Sequence, residues 1–65
     1  KLEHGGSRSL FVVKDIAAGE TLTPENIRSI RPGDGLHTMY YDEILGKKAK
    51  TFLKKGTPLK WELID

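Results

Sequence analysis

The chain contains no cysteine among its 65 residues. This absence excludes disulfide bonds and thiolate chemistry, whether nucleophilic or metal-binding. Long apolar runs are also missing, because the longest are residues 10–13 and 16–18, far too short to cross a bilayer. We therefore predict no membrane segment and no signal peptide, and we expect a cytoplasmic protein.

The small size of the chain limits it to one domain. A domain of this length buries only about 60% of the surface of its unfolded chain, so its stability is marginal. The first seven residues are polar and glycine-containing, which predicts a linker or an expression remnant over residues 1–7 and a folded domain over residues 8–65.

The net charge is +2, and the basic excess lies in the second half of the chain. A cluster of this kind attracts phosphate, nucleic acid or an anionic sugar. It carries no regularly spaced aromatic stacking partners, so we interpret it as a solvated face and expect no nucleic-acid partner. The cluster comprises Lys47, Lys48, Lys50, Lys54, Lys55 and Lys60.

The local patterns predict a mostly β domain with short helical turns. β-branched and aromatic residues indicate strands, threonine followed by proline indicates a helix start, and glycine after an apolar residue indicates a turn or a helix end. Along the chain we predict a strand at 10–13, a turn at Gly19, a single helical turn from Thr23, a loop at 31–35, a helix at 41–46, a strand at 49–53, a turn at Gly56 and a last segment at 59–64.

A weak internal repeat appears when the two turn glycines are aligned. Two such copies predict an approximate two-fold fold, in which neither half buries its apolar face alone. The matched pairs are Ile16 with Leu53, Gly19 with Gly56, Leu22 with Leu59, Glu25 with Glu62, and Ile27 with Ile64. The predicted core is Leu10, Val12, Val13, Ile16, Leu22, Ile27, Ile30, Ile44, Leu45, Ala49, Leu53, Leu59, Leu63 and Ile64.

The inventory of reactive side chains is short. His4 lies in the excluded segment, so His37 is the only credible imidazole, and no serine stands in a nucleophile motif. The histidines and carboxylates lack the spacing of a zinc or calcium site, and no phosphate-binding glycine motif is present. We therefore predict no catalytic residue and no metal site in this chain, which is not an enzyme by itself.

The segment 29–37 is the most informative. Pro32, Gly33 and Gly35 exclude a regular element. Holding such a loop in one shape costs conformational entropy, which indicates that its shape matters for function. Arg31 stands at its edge, where a guanidinium can present planar donors to a carboxylate, phosphate or amide carbonyl. The residues alone leave an arginine that faces water as an equal alternative.

Several of these segments resemble the C-terminal antifreeze-like (SAF) domain of N-acetylneuraminate, legionaminate and pseudaminate synthases, over residues 9–64. That resemblance implies a small irregular antifreeze-like fold of the β-clip or pretzel type. The final residues, 59–64, look most similar to pseudaminate synthases. The matching segments are residues 9–16, Gly19-Glu20, Asn26-Ile27-Arg28, Ile30-Arg31-Pro32-Gly33, Gly35-Leu36-His37, Ile44-Leu45-Gly46-Lys47-Lys48-Ala49 and Gly56-Thr57-Pro58-Leu59.

The resemblance also implies a function. In such synthases an N-terminal (β/α)₈ barrel condenses phosphoenolpyruvate with an N-acylated amino sugar and uses a divalent metal, Mn or Mg, in the barrel. The C-terminal domain covers the barrel of the other subunit in a homodimer. By the Arg-Pro-Gly match, Arg31 is the arginine that reaches the acylamido group of the sugar, and Pro32, Gly33, Gly35 and His37 shape its loop.

The sequence departs from the family pattern at two positions. Asp34 stands where an aromatic residue or asparagine is common, and Thr38 where proline is usual. Ice binding, which type III antifreeze proteins perform with this fold, is disfavoured because Gly19 and Lys48 replace neutral polar side chains. A stand-alone anion- or carbohydrate-binding module that uses the lysine cluster is the other alternative.

Overall fold

The structure is a computed structural model that describes residues 7–65. The predicted linker over residues 1–7 lies outside the described residues except for Ser7, and so does His4. The predicted domain, residues 8–65, is described in full.

Two short antiparallel strands form the regular sheet of residues 7–65: β1, Ser9–Val12, and β2, Ile27–Ile30. Their register places Ser9 opposite Ile30 and Val12 opposite Ile27. Both strands are rich in β-branched or aromatic residues, which favour the extended backbone. The strand predicted from residue 10 is confirmed, beginning one residue earlier.

The two strands differ in how many of their faces are covered. All four residues of β1 are buried, so β1 lies in the middle of the domain with both faces packed. In β2 only Ile27 is buried, and Ile30 is 37% exposed. Side chains alternate between faces along a strand, so Arg28 and Ile30 share the solvent side. The prediction that Ile30 belongs to the core was wrong, and the prediction missed Phe11, which is buried.

Most of the remaining β structure consists of single-residue bridges. The predicted strand at 49–53 is wrong, because residues 50–52 have no β partner and only its two ends form bridges. At each of these contacts the chain pairs with a neighbouring segment through a single residue and does not continue as a strand. The bridges join Ser9 to His37, Phe11 to Pro58, Ile16 to Leu53, Thr21 to Lys48, and Ala49 to Ile64.

The helical segments are equally short. A 3₁₀ turn at Thr38–Tyr40 runs into the helix α1, Tyr41–Ile44, and a second 3₁₀ turn lies at Trp61–Leu63. Gly46, with φ of 92°, follows α1 as the sequence predicts. The single helical turn predicted from Thr23 is confirmed: the Ile27 amide donates to the Thr23 carbonyl at 3.0 Å, and the Thr23 hydroxyl accepts the amide of Glu25 at 3.3 Å. β2 begins before the helix can continue.

Backbone hydrogen bonds repeat at the spacing that separates Gly19 from Gly56. The Gly19 amide donates to the Ala49 carbonyl at 2.7 Å, and the Gly56 amide donates to the Val12 carbonyl at 2.8 Å. Both glycines have positive φ, 85° and 95°. Five further pairs of amide-to-carbonyl bonds match at the same spacing: Leu22 to Lys47 with Leu59 to Leu10, Val12 to Thr57 with Ala49 to Glu20, Val13 to Asn26 with Lys50 to Leu63, Glu20 to Ala17 with Thr57 to Lys54, and Asn26 to Thr23 with Leu63 to Lys60.

Most residues of the core are ones that the sequence predicts. Val13, Leu45 and Leu63, which the sequence assigns to the core, are only half-buried. Their positions at the end of a strand or beside a short helix leave one side open to solvent. The buried apolar residues are Leu10, Phe11, Val12, Ile16, Leu22, Ile27, Ile44, Ala49, Leu53, Leu59 and Ile64.

Candidate functional site

The segment between β2 and the first 3₁₀ turn, residues 31–36, forms a loop over the start of β1. Its two ends flank one residue of that strand, because Ser9 pairs with Ile30 before the loop and bridges His37 after it. A strand residue with two backbone partners has one on each edge. The loop therefore passes across the start of β1 from one edge to the other.

The second half of this loop is packed tightly against the core. The Leu36 amide donates to the Leu59 carbonyl at 2.8 Å, and the Leu36 carbonyl accepts the Leu10 amide at 2.9 Å. A Cβ on Gly35 would overlap the Leu10 carbonyl oxygen and come within 3.0 Å of the Leu59 nitrogen. Only glycine fits this approach of one backbone to another, which gives the predicted site residue Gly35 a structural reason.

The first half of the loop is exposed, and it carries Arg31. The Arg31–Pro32 peptide bond is cis. Within residues 7–65, the Arg31 guanidinium has no hydrogen bond or ion pair, so Asp34 does not neutralise it. The guanidinium is therefore available to a ligand or partner outside the domain.

A shallow, open depression of about 170 Å³ lies beside this part of the loop. Ser7, Pro32, Gly33 and Asp34 line it. The Asp34 carbonyl accepts a hydrogen bond from Lys60 Nζ at 3.0 Å, which ties the tip of the loop to the last segment of the chain. Lys60 therefore acts here as a structural contact, whereas the sequence groups it with the solvated lysines.

His37 stands at the end of the loop and caps the following 3₁₀ turn. Its Nδ1 accepts the Met39 amide at 2.9 Å. The next residue, Thr38, contacts Ser29 through their hydroxyl groups at 2.7 Å, so the side chain that replaces the expected proline ties this turn to β2. His37 thus caps the turn that follows the loop, and its ring is exposed.

Exposed aromatic and apolar side chains lie next to the loop. Trp61, which follows Lys60, is 43% exposed and packs edge-to-face on Tyr40 with ring centroids 5.2 Å apart. Met39 is 70% exposed. At this exposure, Trp61 does not belong to the core.

Other chemistry finds little support in the described part of the chain. Among residues 7–65, no group of three or more histidine, cysteine, aspartate or glutamate side chains could hold a metal ion. No helix within those residues is long and apolar enough to cross a membrane. All six lysines of the basic cluster are exposed. The anchored loop thus carries an arginine whose charge has no partner among residues 7–65.

The fold has a clear counterpart among solved structures. A spore coat polysaccharide biosynthesis protein E from Chromobacterium violaceum superimposes with a TM-score of 0.77 at 23% sequence identity. The match covers 95% of this chain and 19% of that chain. At this identity, the similarity establishes the fold alone.

Curated relatives are similar in sequence as well. A pseudaminic acid synthase from Helicobacter pylori is 56% identical over 91% of this chain, and one from Campylobacter jejuni is 50% identical over 83%. An N,N'-diacetyllegionaminic acid synthase from Legionella pneumophila is 31% identical over 89%. The chain spans only 16–17% of the length of these relatives. The SAF domain profile matches residues 7–65, and the chain belongs to the SAF domain family.

Proposed function

We propose that this chain is the substrate-capping domain of a nonulosonic-acid synthase, which condenses phosphoenolpyruvate with an N-acylated amino sugar. Membership of the SAF family supports this proposal, as do relatives that are themselves pseudaminic and legionaminic acid synthases. The chain matches about one sixth of their length. We assign the catalytic residues to a (β/α)₈ barrel in the rest of the parent protein.

The availability of Arg31 is the observation that carries the capping role. An exposed guanidinium without a partner in its own domain offers five N–H donors in a rigid planar array. The carbonyl oxygen of an acylamido group accepts such donors well, and the hydrogen bond is charge-assisted. Because the loop is anchored at both ends, little ordering entropy is lost when the guanidinium meets this group.

We further propose that the loop covers the barrel of a second subunit in a homodimer. Trp61 and Met39 are exposed next to the loop, and aromatic residues and methionine are enriched in protein interfaces. The contact surface of this proposal therefore comprises the loop, Met39 and Trp61, with the amino sugar enclosed between the domain and the barrel.

A divalent metal, Mn or Mg, belongs to the barrel in this proposal. Mg²⁺ and similar ions take oxygen ligands from carboxylates arranged around the ion. Residues 7–65 offer no such group, so the residues present do not fit this metal. The domain's own contribution is to bind and orient the sugar and to exclude water from the covered site.

The proposal is tested on the full-length parent protein and on the same protein without residues 7–65. We expect the full-length protein to consume phosphoenolpyruvate only when an N-acetylated amino sugar is supplied, either N-acetylmannosamine or a di-N-acetylated hexose. The shortened protein should lose this activity while its barrel stays folded by circular dichroism. Full activity without the domain, or a parent chain without a (β/α)₈ pattern, would contradict the proposal.

A further inference from the structure

The hydroxyl group of Ser9 connects two separated residues of the Arg31 loop. Ser9 Oγ donates a hydrogen bond to the Pro32 carbonyl oxygen at 2.6 Å and accepts one from the Gly35 amide at 2.9 Å. Ser9 is only 1% exposed. A single buried hydroxyl therefore satisfies one acceptor and one donor at opposite sides of the turn, next to Arg31.

This arrangement does not fit a catalytic role for Ser9. The side chain is buried, so a substrate has no access to it, and both of its hydrogen bonds go to backbone groups. No histidine, lysine or carboxylate side chain of residues 7–65 hydrogen-bonds to the hydroxyl, as an activated nucleophile requires. The hydroxyl instead closes the loop.

The backbone of Ser9 reinforces the same contact. It pairs with Ile30 immediately before Arg31, and with His37 after the loop. Between these two fixed ends, residues 33 and 34 have no backbone hydrogen bond to the rest of the domain. The tip is held by the Ser9 hydroxyl and, at the Asp34 carbonyl, by Lys60. Of these two contacts, the one from Ser9 is buried, and it reaches Pro32, the residue that follows Arg31.

We propose that Ser9 is a positioning residue for Arg31, and that its hydroxyl holds the Pro32–Gly35 turn in the shape that directs the guanidinium away from the domain. This inference rests on the proposed function, in which Arg31 contacts the amino sugar. Alanine at position 9 leaves the Pro32 carbonyl and the Gly35 amide without their partner, so the loop samples other shapes. Threonine retains the hydroxyl.

The first test uses the chain itself and amide hydrogen exchange measured by NMR. Ser9→Ala should accelerate exchange at the Gly35 amide by about tenfold or more, because that amide loses its acceptor. The Gly56 amide, bonded to the Val12 carbonyl at 2.8 Å, is the internal control and should not change. Ser9→Thr should keep Gly35 protected. Equal acceleration at both amides would overturn the proposal, since it indicates loss of general stability.

A second variant covers the case in which Ser9→Ala does not fold. Ser9→Cys preserves the volume of the side chain but supplies only a weak donor and acceptor. It should give the same selective acceleration at Gly35. Protection of the Gly35 amide equal to that of the unmodified chain would overturn the proposal.

The second test is a double-mutant cycle in the full-length synthase, with the amino sugar and phosphoenolpyruvate varied separately. Ser9→Ala should raise the KM for the amino sugar about three- to tenfold and leave the KM for phosphoenolpyruvate unchanged. In an Arg31→Ala background it should have no further effect, because residues that act as one unit are not additive. The same loss in both backgrounds would overturn the positioning role.

The two tests also separate this inference from the proposed function. If Arg31→Ala alone leaves the use of the amino sugar unchanged, the proposed function fails, and the substrate role of Ser9 fails with it. The exchange data do not depend on any substrate, so selective acceleration at Gly35 would still establish that Ser9 holds the loop.

Discussion

Ile16 and Leu53 exchange both of their backbone hydrogen bonds, each amide donating to the other's carbonyl at 2.8 Å. Both side chains are buried. Ile16 and Leu53 occupy equivalent positions in the repeat, because the spacing between them equals that between Gly19 and Gly56. The two halves of the domain therefore meet at this bridge. Each half contributes one buried apolar side chain to the centre of the domain.

The first prediction concerns this central pair. Ile16→Ala and Leu53→Ala should each lower the free energy of unfolding by about 2–5 kcal/mol, the usual cost of removing a buried aliphatic side chain. Because a domain of this size has little stability to lose, either variant should be largely unfolded. Thermal unfolding followed by circular dichroism measures this effect.

Phe52→Ala is the matched control for the central pair. Phe52 is next to Leu53 but 56% exposed, so its removal should change the free energy of unfolding by less than about 0.5 kcal/mol. A loss at Phe52 as large as that at Leu53 would show that position in the repeat does not decide the stability.

The second prediction concerns Gly35. Gly35→Ala should lower the free energy of unfolding by about 1–3 kcal/mol, since its Cβ would overlap the Leu10 carbonyl oxygen and neither backbone can move freely. Gly33→Ala is the control, because its Cβ would meet only the Ser7 side chain, at 3.0 Å. Chemical denaturation of both variants compares them, and equal stabilities would refute the close approach.

The third prediction uses the two turn glycines. Gly19 and Gly56 both have positive φ, and a Cβ at either position would meet no atom within 4 Å. The cost of a side chain there is therefore conformational and should be similar at both, about 1–2 kcal/mol for alanine. Asparagine, which tolerates this backbone region, should cost less than alanine at each site. Unequal costs at the two turns would contradict their equivalence.

The fourth prediction concerns the buried Asn26. Its Oδ1 accepts the Thr23 amide at 2.8 Å and its Nδ2 donates to the Thr21 carbonyl at 3.1 Å. Asn26→Ala should cost about 1–3 kcal/mol, because it leaves the partly buried Thr23 amide and Thr21 carbonyl without their partners. Glu25→Ala, at an exposed neighbour, should cost less than about 0.5 kcal/mol. Thermal melts of the two variants measure both costs. Equal costs would contradict a stabilising role for the Asn26 hydrogen bonds.

Sequence patterns predict the turns of this domain better than its strands. Gly19, Gly46 and Gly56 all adopt positive φ, at the turns and helix end that the sequence predicts, since a glycine turn is a local property. The predicted strand at 49–53 fails because strand formation depends on a partner, and here the partners at its two ends are distant residues, Ile64 and Ile16.

The candidate site divides in the same way. The loop and its exposed Arg31 follow from proline, glycine and arginine in the sequence. Ser9 could not be found by searching for nucleophile motifs, because its role arises from contacts with Pro32 and Gly35, far away in the chain. A small polar residue at the start of an otherwise apolar strand is the one local signal that it has a buried hydrogen-bond partner.

The central claim, that Arg31 contacts the amino sugar, is tested most directly by steady-state kinetics of the full-length synthase with Arg31→Ala. Arg28→Ala, which removes an exposed arginine from β2, is the control. We expect kcat/KM for the amino sugar to fall about 10- to 100-fold, the loss of one charge-assisted hydrogen bond, with KM for phosphoenolpyruvate within about twofold and Arg28→Ala unchanged. An equal loss for both substrates, or no loss for either, would contradict the claim.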